Sequence, residues 1–347
     1  MKTKNHFVSK CYLEMWENSN RNIQVYKKLI TDKNEALWRE KKSSQIGYLN
    51  NFYIVYDGES KDDNEQYSDK FEDIFNNTYE NRLKKILKKI DDEKELENAE
   101  WTTIFKFISV QRFKTIDGFL RIKEISSKKF EKTIKSAVNK INKEIRAGTS
   151  LTHSLENKSD LKLPIFIESR IVRERHLDLK IVYINGRSVW LNCLDRLINS
   201  HYKFLQKHTW SLVKAPLNKE WITSDNPVIT LNYYNIDNYD FKGGLNSLNS
   251  NIIVPLSPKF LLFTQIGVKM PLVWGASIDF YELIIKLICE NATVSIFCRN
   301  KNNLVNKYVD RNVDKSAHEY YLNLGKYLFE DYKEKEVSIL KKYCEKE

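Results

Sequence analysis

Proline is scarce and unevenly placed. The chain of 347 residues has six, and all of them (Pro164, Pro216, Pro227, Pro255, Pro258 and Pro271) lie beyond position 163. No ring breaks a helix before that point, so the first half is expected to be mainly helical. Cysteine builds no scaffold either. Cys11, Cys193, Cys289, Cys298 and Cys344 are scattered, odd in number and free of C-x-x-C or Cys/His zinc spacing, which argues for reduced thiols. Long apolar runs are missing as well. Nothing approaches the roughly 18 residues of a membrane span, and the opening MKTKNHFVSK carries no apolar segment behind its lysines. The expectation is a soluble, cytoplasmic protein with no membrane partner. The six histidines show neither H-x-x-x-H nor H-E-x-x-H spacing, so no zinc site is legible locally.

What the chain does have is charge and β-branched or aromatic clusters. It is 41% hydrophobic and 30% charged, a globular balance, with a net charge of +11 that favours an anionic partner such as nucleic acid. Its Lys-, Asn- and Ile-rich composition has the look of an AT-rich coding source, so part of that charge is discounted. The distribution survives the discount. Lys128, Lys129, Lys132, Lys135, Lys140, Lys143 and Arg146 stand against Glu131 and Glu144 alone. This 128–146 segment is the candidate nucleic-acid surface, with Lys132 and Lys135 as contact residues. The competing reading is a solvated helix face.

The periodicity predicts an α+β fold. About 55 residues of strands or extended arms open the chain (HFVSKCYLEMW, NIQVYKKL, NNFYIVYDG). A helix follows from about Tyr67, with Phe71, Phe75, Tyr79, Leu83, Ile86, Leu87 and Ile90 on one face. A central helix is expected over 99–116, and a third, ending near Ala147-Gly148, carries the narrow stripe Phe130, Ile134, Val138, Ile141 and Ile145. Residues 148–163 read as a loop or joint, and 164–176 as helix. The 180–190 stretch is either a hairpin turning at Asn185-Gly186 or helix-turn-helix, with the latter preferred. Another helix covers LNCLDRLINSHYKFL. An antiparallel sheet is expected from about 207 to 300, interrupted by a long Asn- and Gly-rich loop, YYNIDNYDFKGGLNSLNSN. Helices close the chain. The organisation is a domain over 1–310, divisible into 1–147 and 164–310, with a helical extension over 311–347.

Several polar residues stand out. His6 lies in the first strand-like segment, where an imidazole can act as a base or ligand. Glu72 and Glu80 are two helical turns apart beside an aromatic stripe, where carboxylates are usually solvated. Gln111 and Lys114 project from one side of the aromatic central helix, and Arg112 is expected to snorkel outward. In EWITSDNPVIT, Ser224, Asp225 and Asn226 form a corner ahead of Pro227. The corner is either an Asx-turn or a polar pocket with Asp225 as base or metal ligand.

Four motifs in order resemble a widespread bacterial family, domain of unknown function 4238. HFVSKCYLEMW is similar to its H-[YF]-V-P-Q-x-Y-L opening, FISVQRFKT to its Q-x-x-R-T helix, EWITSDNPVIT to its TSDNP motif and IIVPLSP to its PLSP strand. The resemblance runs from about residue 4 to 310. Ser9-Lys10 replaces Pro-Gln, and Lys114 replaces arginine. Carried over position by position, the family's polar residues fall on His6, Glu80, Gln111, Lys114, Ser224, Asp225 and Asn226. Such a set suggests phosphodiester cleavage. Asp225 with Glu80 would hold a divalent metal (Mg or Mn), Lys114 would stabilise developing charge, and His6 would move a proton, with Gln111, Ser224 and Asn226 contacting substrate. The expectation is a nucleic-acid-directed hydrolase in a defence or toxin setting. The alternative is a non-catalytic module that binds nucleic acid, nucleotide or protein.

Overall fold

In the computed structural model the described residues are 4–56, 67–146, 165–173, 176–183 and 185–344. The expected joint at 148–163 lies outside them. The chain is α+β, as the periodicity indicates.

The long amphipathic pattern after Tyr67 folds as one run of helix. Lys70–Phe75 and Asn81–Asp91 are joined through a π-helical turn at Asn76–Glu80. All seven apolar positions of the stripe are buried. The helix Asn98–Lys114 is buried around much of its circumference through Ile104, Phe105, Phe107, Ile108 and Val110, which makes it the centre of the helical part. Thr115 ends it. This residue takes an extended conformation, and its hydroxyl accepts the Gly118 N–H at 3.1 Å, starting the 31-residue helix Ile116–Arg146.

Two expectations of helix fail in the middle of the chain. Ile165–Arg173 and His176–Tyr183 form an antiparallel hairpin, and the helix starts only at Arg187. The sequence IFIESRIVR is dense in β-branched residues, and with no proline inside it strand propensity prevails over the helical reading. The Phe130 and Tyr183 rings stack at 3.6 Å, which seats the hairpin on the long helix.

Two sheets follow. The larger has six strands in the order 238–240, 229–235, 250–255, 260–265, 211–214 and 273–275, antiparallel except for the last pair. Much of the expected Asn-rich loop is therefore the hairpin Ile229–Asn235 with Asn238–Asp240. The smaller sheet orders Thr223–Ser224, Ser295–Cys298, Ile23–Lys27 and Trp38–Lys41. It joins the first and last parts of the chain. The opening segment is only partly extended: Lys4–His6 pairs with Tyr48–Asn50, but Lys10–Leu13 and Glu14–Trp16 are helical turns.

The C-terminal helix Lys315–Asp331 lies on the Tyr48–Asn50 strand at Gly325, where an added Cβ would stand 2.7 Å from the Asn50 carbonyl oxygen. Its continuation delivers Glu336, whose carboxylate accepts the N–H groups of Arg187 (2.5 Å) and Ser188 (3.0 Å) at the start of the Arg187–Arg196 helix.

Candidate functional site

The residues singled out from the sequence collect at two places. The first lies where the chain's opening meets the first two long helices. Gln111 and Lys114, three residues apart, both face the segment after the first strand. Gln111 Nε2 donates to the Phe7 carbonyl at 2.7 Å, and its Oε1 accepts the Ser9 N–H at 3.3 Å. A glutamine in so apolar a helix is thus bonded on both of its functions, as burial requires.

Lys114 Nζ lies 2.7 Å from Glu80 Oε1, and the Ser9 hydroxyl donates to the same oxygen at 2.6 Å. The ammonium also stands 4.3 Å from the Phe75 ring centroid and 5.5 Å from that of Tyr53. Lys114 is sealed, with 1% of its side chain exposed, and Glu80 nearly so at 13%. The π-helical turn that ends at Glu80 breaks the regular helical spacing just where this carboxylate enters the aromatic cluster. Burial alone would raise the Glu80 carboxyl, but Lys114 and Ser9 overcome it and hold its pKa below the ordinary value. Burial would likewise lower the Lys114 ammonium, yet Glu80, helped by Tyr79 and Glu72, keeps it above its ordinary value. Both groups are therefore charged.

The expectation of solvated glutamates is overturned at both positions. Glu72 is buried as well and accepts from Asn5 Nδ2 at 3.0 Å, while Asn5 Oδ1 accepts the Tyr53 N–H. Arg112 does not snorkel. It is 1% exposed, with Nε donating to Thr230 Oγ1 at 3.3 Å and Nη1 3.4 Å from Asp117, and burial lowers its pKa to about 10. It ties the central helix to the larger sheet. Ser9, Asn5 and Tyr53 are members of the Glu80–Lys114 neighbourhood that the sequence reading did not select. Only Ser9 carried a signal, as a departure from the family's proline.

His6 belongs to the same neighbourhood. Its Nε2 is buried with no hydrogen-bond partner among the described residues, and its ring lies 5.8 Å from that of Tyr48. Burial first, and then the Lys114 charge, lower its pKa from 6.5 to about 4. His6 is thus neutral in the folded chain at physiological pH. The sign of the resulting pH dependence follows directly. The unfolded chain takes up a proton on this ring below about 6.5 and the folded chain resists until about 4, so stability from His6 is complete above 6.5 and falls away between those values. The full loss amounts to about 3 kcal/mol at most. Denaturant unfolding at intervals from pH 7.5 to 4 should show this decline, and His6→Gln should remove that component. Superimposable pH profiles for the two proteins would refute it.

The second place is the corner at 223–226. Asp225 Oδ1 accepts the Thr293 N–H at 2.8 Å, and Oδ2 accepts those of Val294 and Ser295 at 2.7 and 3.0 Å. Burial pushes its carboxyl pKa up, while these three donors and Lys27 pull it back. Ser224 Oγ accepts the Asn226 N–H at 3.1 Å, and Asn226 exchanges hydrogen bonds with Asn291. Ser224 and Asn226, expected to contact substrate, are 0% and 3% exposed and bond inward. The corner is a turn, but the side chain that accepts the N–H two residues on is Ser224 rather than Asp225 or Asn226, and among these three residues Asp225 alone borders a cavity, discussed below.

The expected metal pair does not fit this arrangement. Asp225 already satisfies three N–H donors through both oxygens, and Glu80 Oε1 is held by Lys114 and Ser9. Among the described residues, no group of three or more His, Cys, Asp or Glu side chains is placed to hold a metal ion. Lys132 and Lys135 lie far along the Ile116–Arg146 helix, both exposed, with Lys135 paired to Glu131 at 2.6 Å. No helix among the described residues is long and apolar enough to cross a membrane.

Comparison with known families agrees with the motif order. A family model described as "Protein of unknown function (DUF4238)" matches residues 4–268, well over half of the chain. The chain belongs to the DUF4238 family. The match stops short of the expected 310, and residues beyond it complete the family's own motif, since the three donors to Asp225 come from 293–295. No curated protein and no solved structure matches the chain. Two of the three departures from the DUF4238 pattern, Ser9 and Lys114, meet in space: Lys114 Nζ is 3.4 Å from Ser9 Oγ. A proline at position 9 has no hydroxyl to share Glu80. The serine and the lysine both bond to the same Glu80 oxygen.

Proposed function

We propose that this DUF4238 protein is a nucleic-acid-binding protein whose contact surface is the outer face of the Ile116–Arg146 helix. The observation that carries the reading is the exposure of the basic residues on that helix. Lys123, Lys128, Lys129, Lys132, Lys135, Lys140 and Lys143 are all exposed, and Lys128 and Lys135 have i,i+4 partners at Glu124 and Glu131. At 1.5 Å per residue the helix is about 45 Å long, enough to follow several phosphates along one strand. Its apolar stripe is half-buried at Phe130, Ile134 and Val138, so one side is anchored and the other is free to meet a polyanion.

The hydrolytic reading, with His6, Lys114 and Asp225 as catalytic groups, draws on the family motifs and on the shared neighbourhood of His6, Glu80 and Lys114, but the Asp225 and Glu80 carboxylates it assigns to a divalent ion are already engaged. The geometry favours binding over hydrolysis, because Lys114 is committed to Glu80 and Asp225 to three backbone donors. A substrate has no free ammonium or carboxylate to meet there.

The test is fluorescence anisotropy with a labelled duplex and a labelled single strand across a salt series. Binding is expected to weaken steeply with salt, and Lys129→Gln with Lys132→Gln should shallow the log–log slope by about one unit per lysine. Affinity that is absent at low salt, or a slope that the double variant leaves intact, would reject the assignment. Nuclease activity with Mn²⁺ that disappears in Asp225→Asn without loss of fold would favour the hydrolytic reading instead.

A further inference from the structure

A cavity of about 430 Å³ opens between the smaller sheet and the C-terminal helix. That volume is within the range that holds a small-molecule ligand. Strand periodicity explains its lining. Val25 and Lys27 on one strand, Arg39 and Lys41 on its neighbour, and Ser295 and Phe297 on the third alternate with Gln24, Tyr26, Glu40 and Ile296, which do not line it. Lys326 and Tyr321 from the helix Lys315–Asp331 and Tyr48 from the strand beneath it form the opposite wall.

Four basic side chains and a single carboxylate, Asp225, line this space. The carboxylate's one negative charge, held by three N–H groups beside Lys27, offsets only part of the four positive ones. Nearby acids take only part of the rest: Glu35 lies 2.6 Å from Arg39, Glu330 lies 3.9 Å from Lys326, and Glu40 bonds to Gln24 and Asn22. Lys27 is the deepest of the four. Its Nζ donates to Ser295 Oγ at 2.9 Å, and burial lowers its pKa, with Asp225 opposing and the Arg39 and Lys41 charges adding to the fall. The sheet therefore holds like charges against one another beside a cavity, an arrangement that a bound anion relieves.

We infer that this cavity binds a phosphate-bearing small molecule of mononucleotide size, with Lys27, Arg39, Lys41 and Lys326 meeting the phosphates. Tyr48, Tyr321 and the apolar wall at Val25 and Phe297 receive its uncharged part. The site is separate from the basic helix and does not depend on it.

Isothermal titration calorimetry on the full chain at fixed ionic strength tests this. Pyrophosphate and ADP are expected to bind, and adenosine is expected to bind at least tenfold more weakly than ADP. Lys41→Gln and Lys326→Gln alter exposed residues and should leave the fold intact. Each should weaken ADP about tenfold, the loss of one charge-assisted contact. The helix double variant Lys129→Gln/Lys132→Gln should leave ADP affinity unchanged, which separates this site from the nucleic-acid surface. A 5′-phosphorylated tetranucleotide compared with its unphosphorylated form shows whether a strand end or a free nucleotide supplies the phosphate, and either result supports the site. Equal affinity for ADP and adenosine, or ADP affinity untouched by both cavity variants, would overturn it.

Discussion

Replacing Lys114 by methionine is expected to lower the free energy of unfolding by about 3–5 kcal/mol, the cost of leaving one partner of a buried ion pair behind. The cause is Glu80 rather than the lost lysine packing. Methionine fills much of the same volume between Phe75 and Tyr53, but the Glu80 carboxylate would keep a single donor, the Ser9 hydroxyl, in a setting that disfavours charge. The pH dependence should change sign with it. In the native chain Glu80 titrates below its ordinary value, so its stabilisation is present above about pH 4.5 and fades as pH falls through the folded pKa. In Lys114→Met the same carboxyl is pushed above its unfolded value, and the variant should gain stability on acidification as Glu80 becomes neutral. Glu80→Gln added to Lys114→Met should recover most of the loss. Urea unfolding of the three proteins at pH 5 and 7.5 reads all of this. A cost below about 1 kcal/mol would show that the pair behaves as a solvated surface bridge.

The same pair shows why the sequence was legible in part. Apolar period alone located the stripe from Phe71 to Ile90 and the buried central helix, because burial there is set by residues three and four apart. Polar burial has no such period. Nothing in NNTYEN signals that a π-helical turn delivers Glu80 to Lys114, 34 residues away, or that Glu72 meets Asn5. Gln111 was the exception. An amide in a helix that is apolar on most sides must find partners, and it found the Phe7 carbonyl and Ser9. The hairpin at 165–183 was misread because its β-branched run follows a proline and lacks strict alternation. The cavity lining was hidden for a different reason. Val25, Lys27, Arg39 and Lys41 do alternate, but the partner strand Ser295–Cys298 lies some 270 residues later, and short-range pattern carries no record of that pairing.

Asp225→Ala is expected to cost as much as the loss of Lys114, about 3–5 kcal/mol, for a different reason. Three backbone N–H groups, those of Thr293, Val294 and Ser295, would lose their acceptor at once in a buried corner, and each such group costs about 1–3 kcal/mol before relaxation. The consequence spreads, because Ser295 begins the strand that joins the 223–224 corner to the Ile23–Lys27 strand. Asparagine should rescue only in part. Its one carbonyl oxygen can replace either Oδ1 or Oδ2, and its amide group would then turn a donor toward an N–H donor on the other side. A purely catalytic Asp225 predicts the reverse order of effects, with stability kept in both variants and turnover lost. Thermal unfolding of Asp225→Ala and Asp225→Asn, with ADP calorimetry on the asparagine variant, separates the two. The corner role predicts that both variants melt well below the native chain and that ADP binds Asp225→Asn at least as tightly, since a carboxylate has been removed from a cavity of cations. Native melting temperatures in both variants would show that the three donors find other acceptors and that the corner's carboxylate serves something other than the fold.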